Sequence, residues 1–234
     1  MTHRKPLFAL TILFALPFAA GALVAAPPAQ WSTVASTTPI GAYQIGNPAA
    51  KIQLVEYISY TCSHCAEFSR ASAAALKAGY VDKGIVRVEI RNAARDPVDL
   101  AAALLARCDG PAKFLGHHNA VLAAQDGWLG TVSKQSETTI AAWNAGSLDV
   151  RLGKIAAGSG LGALMKKRGL TQARIDTCLR DATARQQIVS MTNFAWNVEK
   201  IDGTPAFVVN GKKAVAAHDW PSLKSHIDQA LVPS

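Results

Sequence analysis

The chain has little of several things. Charged residues make up 17% and aromatic residues 7% of its 234 positions. Beyond residue 26 no apolar run approaches the roughly 20 residues that span a bilayer, and neither a low-complexity tract nor an internal repeat appears. Polytopic membrane proteins and repeat solenoids are excluded on these grounds. The net charge is +8, but the basic residues are scattered, with small clusters only at Lys166-Lys167-Arg168 and Lys212-Lys213. No basic stripe interleaved with aromatics exists, so a nucleic-acid partner is not expected. The charge reads instead as a solvated surface suited to loose contact with anionic lipid or acidic polypeptide. Cysteine is scarce too, at four residues. One Cys-x-x-Cys, with no second Cys-x-x-Cys or Cys-x-x-His, falls short of the about four ligands that hold zinc. No metal and no cofactor is expected. His117 and His118 are adjacent, fall on different helix faces and read as solvated or capping residues. Trp128, Trp143, Trp196 and Trp220 read as packing.

What is present begins at the N-terminus. His3, Arg4 and Lys5 precede an apolar run from Leu7 to about Ala19, and Ala20-Gly21-Ala22 offers a cleavage site, with Ala25 or Ala26 as alternatives. Residues 1–26 therefore read as a secretory signal peptide, or as an uncleaved anchor if the run extends to Ala26. Either places the folded part outside the cytoplasm, in the periplasm by expectation. Residues 27–38, rich in Pro, Ala, Ser and Thr, read as a mobile leader. Without Arg4 and Lys5 the charge falls to about +6. The remaining roughly 195 residues fit one domain, or one domain with an insertion, and 50% hydrophobic residues supply a substantial core.

Residues 52–58 (IQLVEYI) form a nearly continuous apolar run, the pattern of a central strand, interrupted by Glu56. Residues 66–78 are Ala-rich and favour a helix. Val86, Val88 and Ile90 then alternate with Arg87, Glu89 and Arg91, a strand with one wet side. Strand, helix, strand predicts a parallel pair with a right-handed crossover. Asp96-Pro97 makes an N-cap and first helical position for a helix that aligns Val98, Ala101, Leu105 and Cys108 and that Gly110-Pro111 ends. Thr171 caps another, with Leu170 and Ile175 as a hydrophobic staple and Ile175, Cys178 and Leu179 facing inward. A long helix over 182–200 turns Ile188, Met191 or Thr192, Ala195 and Val198 inward. After Gly203-Thr204-Pro205, residues 206–209 form a strand, Asn210-Gly211 a two-residue hairpin turn, residues 213–216 the return strand, and residues 221–231 a helix aligning Leu223, Ile227 and Leu231. The order is β-α-β, a helical block, then β-β-α, which is an α/β fold split by a helical insertion.

Cys62-Ser63-His64-Cys65 lies at the first strand-to-helix junction. Sulfur chemistry runs through the thiolate, and the dipole and unpaired N–H groups of a helix N-terminus stabilise it. In an oxidising compartment this spacing makes and breaks a disulfide with little backbone movement. Cys62, exposed at the helix start, is the expected point of attack, and Cys65, one turn on, the shielded resolving thiol. His64 between them can hydrogen-bond to the Cys62 thiolate or stabilise its charge, which favours the reduced form and makes the disulfide an oxidant. A merely structural disulfide is the alternative. Cys108 and Cys178 make the count even, and an even set in an oxidising compartment is normally paired. Bonding them would close a loop of about 70 residues, worth roughly 4 kcal/mol; two separate buried thiols are the alternative.

VEYISYTCSHCAEF together with GTPAFVVNG resembles the thioredoxin superfamily. The helical block and the His within the motif resemble its DsbA-like thiol:disulfide oxidoreductases, over roughly residues 40–231. The resemblance implies a thioredoxin-like domain over 39–95 and 202–234 with a helical insertion over 96–201. It implies that the Thr204-Pro205 bond is cis and presents Thr204 backbone groups to an extended substrate, and that Glu56 is a buried acid relaying the proton of Cys65. The implied enzyme oxidises cysteine pairs in unfolded or partly folded polypeptides, is reoxidised by a membrane-bound redox partner, and is a monomer. Thr204 before Pro205 is more like the family's isomerases and reductases, so a monomeric isomerase or a reductase for dedicated clients is the alternative. A peptide-binding chaperone with a structural cysteine pair is the alternative of another class.

Overall fold

The structure, a computed structural model, describes residues 1–2 and 30–232. The expected signal peptide, apart from residues 1–2, and residues 27–29 of the leader lie outside the described residues. The rest of the expected leader is ordered: Trp31–Thr33 forms a 3-10 turn, and β1 (Ala35–Thr37) pairs antiparallel with β2 (Tyr43–Ile45). The Gly46 N–H donates to the Val34 carbonyl and extends this edge, a pairing between two short segments that composition alone does not reveal.

The core of the sheet is built as the alternation predicts. β3 (Ile52–Ile58) leads through α1 (Ser63–Leu76) to β4 (Val86–Asn92), and β3 and β4 pair parallel. β5 (Ala206–Val209) pairs antiparallel with the other edge of β3, and β6 (Lys212–Lys213) follows it. The sheet order is β1-β2-β4-β3-β5-β6. Asn210 and Gly211 take φ of 48° and 79°, the left-handed geometry that a two-residue hairpin turn requires. The return strand is shorter than expected, because Ala216 adopts φ of 60° and the chain turns into α10 (Trp220–Leu231). Leu223 and Ile227 of α10 are buried. Side chains alternate across a strand, so Ile52, Leu54 and Ile58 join the main core while Tyr57 packs with Ala93, Ala195 and Val208 on the opposite face.

Eight helices lie between β4 and β5: α2 (Pro97–Ala106), α3 (Pro111–Ala123), α4 (Gln125–Ser133), α5 (Glu137–Trp143), α6 (Leu148–Ser159), α7 (Leu161–Lys167), α8 (Gln172–Leu179) and α9 (Ala182–Asn193). Asp96 caps α2, accepting from the N–H groups of Val98 and Asp99, and Thr171 caps α8. Gly110-Pro111 starts α3 rather than ending α2: Gly110, at φ 75°, is its N-cap and Pro111 its first residue. The expected helix over 182–200 stops at Asn193 and continues as a π-helical turn, Phe194–Val198. The wider turn rotates the register, and Val198 faces out at 65% exposure instead of inward. Trp128 and Trp143 are buried, and Trp196 and Trp220 pack against the cores from partly buried positions. Among the described residues no helix is long and apolar enough to cross a membrane.

Candidate active site

The β3-to-α1 junction carries the site. Cys62 is the N-cap of α1, with extended backbone (φ −89°, ψ 117°), and its carbonyl accepts from the N–H groups of Cys65 and Ala66. Both thiols are free. Cys65 is fully buried, as the one-turn spacing implies, but Cys62 is only 4% exposed. The expectation of an exposed Cys62 is therefore corrected, and the covering group is a loop from the far end of the chain. The Thr204-Pro205 bond is cis, Pro205 is buried, and the Cys62 thiol donates to the Thr204 carbonyl at 3.0 Å.

The two sulfurs have opposite acidities. A hydrogen bond from the Cys65 thiol is the largest influence on Cys62 and holds its pKa down to about 4. Burial opposes it, while a hydrogen bond from the Thr204 side chain, the Cys65 backbone N–H and the charge of Arg95 reinforce it. Cys65 is pushed far upward by that same sulfur–sulfur hydrogen bond and by burial. His64 does not fill the role expected of it. It is exposed on the first turn of α1, makes no side-chain hydrogen bond with Cys62 among the described residues, and is not among the main groups acting on that sulfur. Arg95 is the cation among those groups.

Glu56 sits on the β3 face that carries Ile52, Leu54 and Ile58. It is 6% exposed, and burial raises its carboxyl to about 7. Its charge in turn raises Cys65. A cavity of about 240 Å³ runs beside it, lined by Phe68, Ser72, Ile90 and His118 and reaching Lys77 toward the surface. The two histidines expected to be solvated are both buried, His117 at 2% and His118 at 4%. His118 Nδ1 meets the Tyr60 hydroxyl at 2.9 Å, and burial lowers its pKa to about 4. His117 Nδ1 accepts from Arg168 Nε at 2.9 Å. An adjacent pair on helix α3 can be buried on two sides because α3 packs against α1, α2 and α7 at once.

The loop between β3 and Cys62 is clamped by the insertion. Gln125, 1% exposed at the start of α4, donates Nε2 to the carbonyls of Tyr60 at 2.7 Å and Cys62 at 2.8 Å. Asp99 on α2 accepts from the Tyr60 N–H at 2.8 Å and the Ser59 hydroxyl at 2.5 Å. Neither residue is singled out by sequence. Asp99 carries a weak signal as an acid in the first turn of a capped helix, but nothing in the order of residues says it is buried, and Gln125 has no signal at all. Cys108 and Cys178 are joined by a disulfide, with Cα atoms 5.7 Å apart, linking the turn after α2 to the last turn of α8. Among the described residues no cluster of His, Cys, Asp and Glu could hold a metal.

A parallel-cored sheet with a Cys-x-x-Cys capping the following helix, faced by a cis-proline loop, defines a dithiol–disulfide site on a thioredoxin-like fold. A family model described as thioredoxin matches residues 38–229, and the chain belongs to that family, in the DsbA-like form with helices inserted between β4 and β5. It is 34% identical to a solved protein-disulfide isomerase from Novosphingobium aromaticivorans, with a TM-score of 0.77 over 81% of this chain and 97% of that one. The structure of Wolbachia pipientis alpha-DsbA1, 24% identical with a TM-score of 0.63 over 80% of this chain and 89% of that one, shares the fold. A curated relative from Rickettsia felis, named "Putative protein-disulfide oxidoreductase", is 29% identical over 80% of this chain and 59% of its own length. One from Rickettsia typhi, bearing the same description, is 30% identical over 80% and 61%. The chain thus spans about three fifths of the length of these relatives.

Proposed function

We propose that the protein is a thiol:disulfide oxidoreductase that oxidises cysteine pairs in unfolded or partly folded polypeptides outside the cytoplasm. The observation that carries this reading is the split between the two sulfurs, Cys62 low and Cys65 high, at the N-terminus of α1. In the oxidised enzyme a substrate thiolate attacks Cys62 Sγ, the Cys62–Cys65 bond breaks, and a mixed disulfide forms. Cys65 leaves and takes up a proton, for which Glu56 is the nearby acid with a pKa of about 7. A second substrate thiolate attacks the substrate sulfur of the mixed disulfide and expels Cys62 as its stabilised thiolate. The substrate loses two electrons and the enzyme gains them. Stabilising the reduced form is what makes the disulfide an oxidant. Thr204, next to cis-Pro205, offers backbone groups to an extended client segment. The turnover requires a reoxidant, for which a membrane-bound redox partner is the proposed source, and the protein works as a monomer in the periplasm.

Two observations favour a second reading, isomerase or reductase: Thr204 precedes the cis proline, and the similar Novosphingobium protein is named a protein-disulfide isomerase. The reduction potential of Cys62–Cys65 against glutathione separates them. A strongly oxidising value supports the oxidase, and a value near thioredoxin's overturns it. Cys62→Ser should abolish oxidation of a reduced, unfolded protein, whereas retained activity would overturn the mixed-disulfide mechanism. A chaperone with a structural cysteine pair would protect unfolded clients equally well with both motif cysteines replaced by Ala.

A further inference from the structure

We propose that Asp99 is a positioning residue that acts on Cys62 through Arg95, by fixing the hydroxyls that hold the Arg95 guanidinium; this rests on the dithiol reading of the site. Asp99 is fully buried in the first turn of α2. Burial raises its carboxyl to about 6, so at neutral pH it is ionised and only accepts hydrogen bonds, and every bond it makes fixes the direction of a donor. It receives the Ser59 hydroxyl at 2.5 Å and the backbone N–H groups of Tyr60 at 2.8 Å and Arg95 at 3.0 Å.

The guanidinium does not touch Asp99. Arg95 Nε donates to Ser59 Oγ at 3.0 Å and Nη2 to Thr61 Oγ1 at 3.1 Å. Ser59 has its proton committed to Asp99, so its lone pairs are turned toward Arg95. Thr61 turns its proton to the two carboxylates, 3.0 Å from Asp96 Oδ2 and 3.5 Å from Asp99 Oδ2, so its lone pairs turn the same way. Two carboxylates thereby orient two hydroxyls, and the hydroxyls hold one cation on the segment that ends at Cys62. Arg95 is exposed, and an untethered arginine there would lose its geometry to side-chain entropy and solvent screening. Its charge is among the groups that favour the Cys62 thiolate.

Other charged groups close to this arrangement are few. Asp96 lies beside Asp99, and Glu56, Arg107 and Cys65 act with Asp99 on the intervening Tyr60. None of them forms a hydrogen bond to the Asp99 carboxylate, whose partners are Ser59, Tyr60, Arg95 and, at the longest distance, the Thr61 hydroxyl.

The test is the equilibrium of Cys62–Cys65 with dithiothreitol in the full chain at pH 7.5, where the Asp99 carboxyl is ionised. Arg95→Gln should make reduction of the Cys62–Cys65 disulfide about tenfold less favourable, because the thiolate it yields loses a stabilising charge. Asp99→Asn places a donor where Ser59 donates, reverses that hydroxyl and should weaken reduction by a similar factor. The double variant should change it no further than either single one, because both remove the same element. If Asp99→Asn lowers the melting temperature but leaves this equilibrium unmoved, or if the two effects multiply, the proposal is overturned. Should Asp99→Asn fail to fold, Ser59→Ala removes the relaying hydroxyl and must give the same change. The measurement needs no client: failure to oxidise a reduced, unfolded protein would sink the oxidoreductase reading while leaving these changes in place.

Discussion

The molecule holds two cysteine pairs that differ in everything except the atoms. Cys62 and Cys65 are one helical turn apart at the N-terminus of α1, while Cys108 and Cys178 lie 70 residues apart. Cys178 falls in the last turn of α8 and Cys108 just beyond the end of α2. Helix N-termini favour a thiolate and C-termini oppose one, so the first pair sits where sulfur ionises and the second where it does not. Loop length points the same way. Closing 70 residues removes about 4 kcal/mol of unfolded-chain freedom, while closing the tight motif loop removes far less. Position on the helix and separation along the chain, rather than sulfur itself, divide a reactive pair from a staple.

That division can be broken at its strongest point first. Cys62→Ser should bring thiol oxidation of an unfolded client to background, and Cys108→Ala/Cys178→Ala should leave it intact. Next in size, the Cys108→Ala/Cys178→Ala variant should lose about 4 kcal/mol of stability in urea with its Cys62 titration unmoved. A changed titration would mean that the two pairs are coupled. Glu56 gives a pH signature that the staple lacks. Its folded pKa is raised from 4.5 to about 7, so the folded state binds the proton more tightly than the unfolded one. Its contribution is fully present below pH 4.5 and is lost as pH rises through 7, by about 3 kcal/mol. Glu56→Gln should flatten that part of a stability–pH curve for the reduced protein. Gln125→Ala leaves the carbonyls of Tyr60 and Cys62 without their donor and should cost about 2 kcal/mol in thermal or urea unfolding. Smallest of all, His64→Ala should move the Cys62 pKa by less than about half a unit, since the imidazole is exposed and unbonded; a shift of one unit or more would restore it as the stabilising cation.

The strands, the capped helices, the hairpin turn at Asn210-Gly211 and the dithiol motif were legible because each is written in a local pattern. Alternation, capping residues and left-handed turn residues act over a few positions, and the physics that reads them is equally local. What surrounds the sulfurs was not legible for the opposite reason. Asp99, Gln125, His118 and Arg95 reach residues 59–62 across the fold, and no spacing in the chain encodes those contacts. His64 shows the converse error: nearness in sequence promised a contact, yet on an α-helix the residue two positions after the N-cap points away from it. Val198 failed because one π-helical turn shifted the helical period by a residue, which composition does not announce. The burial of His117 and His118 needed knowledge of how many helices pack around α3.

The contact between Cys62 and Thr204 joins residues 142 positions apart, and it sets a schedule. A chain is made from its N-terminus, commonly at about 5–20 residues per second, so both motif thiols and Cys108 appear well before Cys178 and the loop that covers Cys62. A chain halted before residue 178 holds three thiols, and the partner of Cys108 does not yet exist. During that interval Cys62 lacks its cover, and its neighbour in the motif is the only correct partner already made. The close spacing of the motif thus does a second job besides exchange: it gives Cys62 an immediate, reversible mate that competes with Cys108 for it.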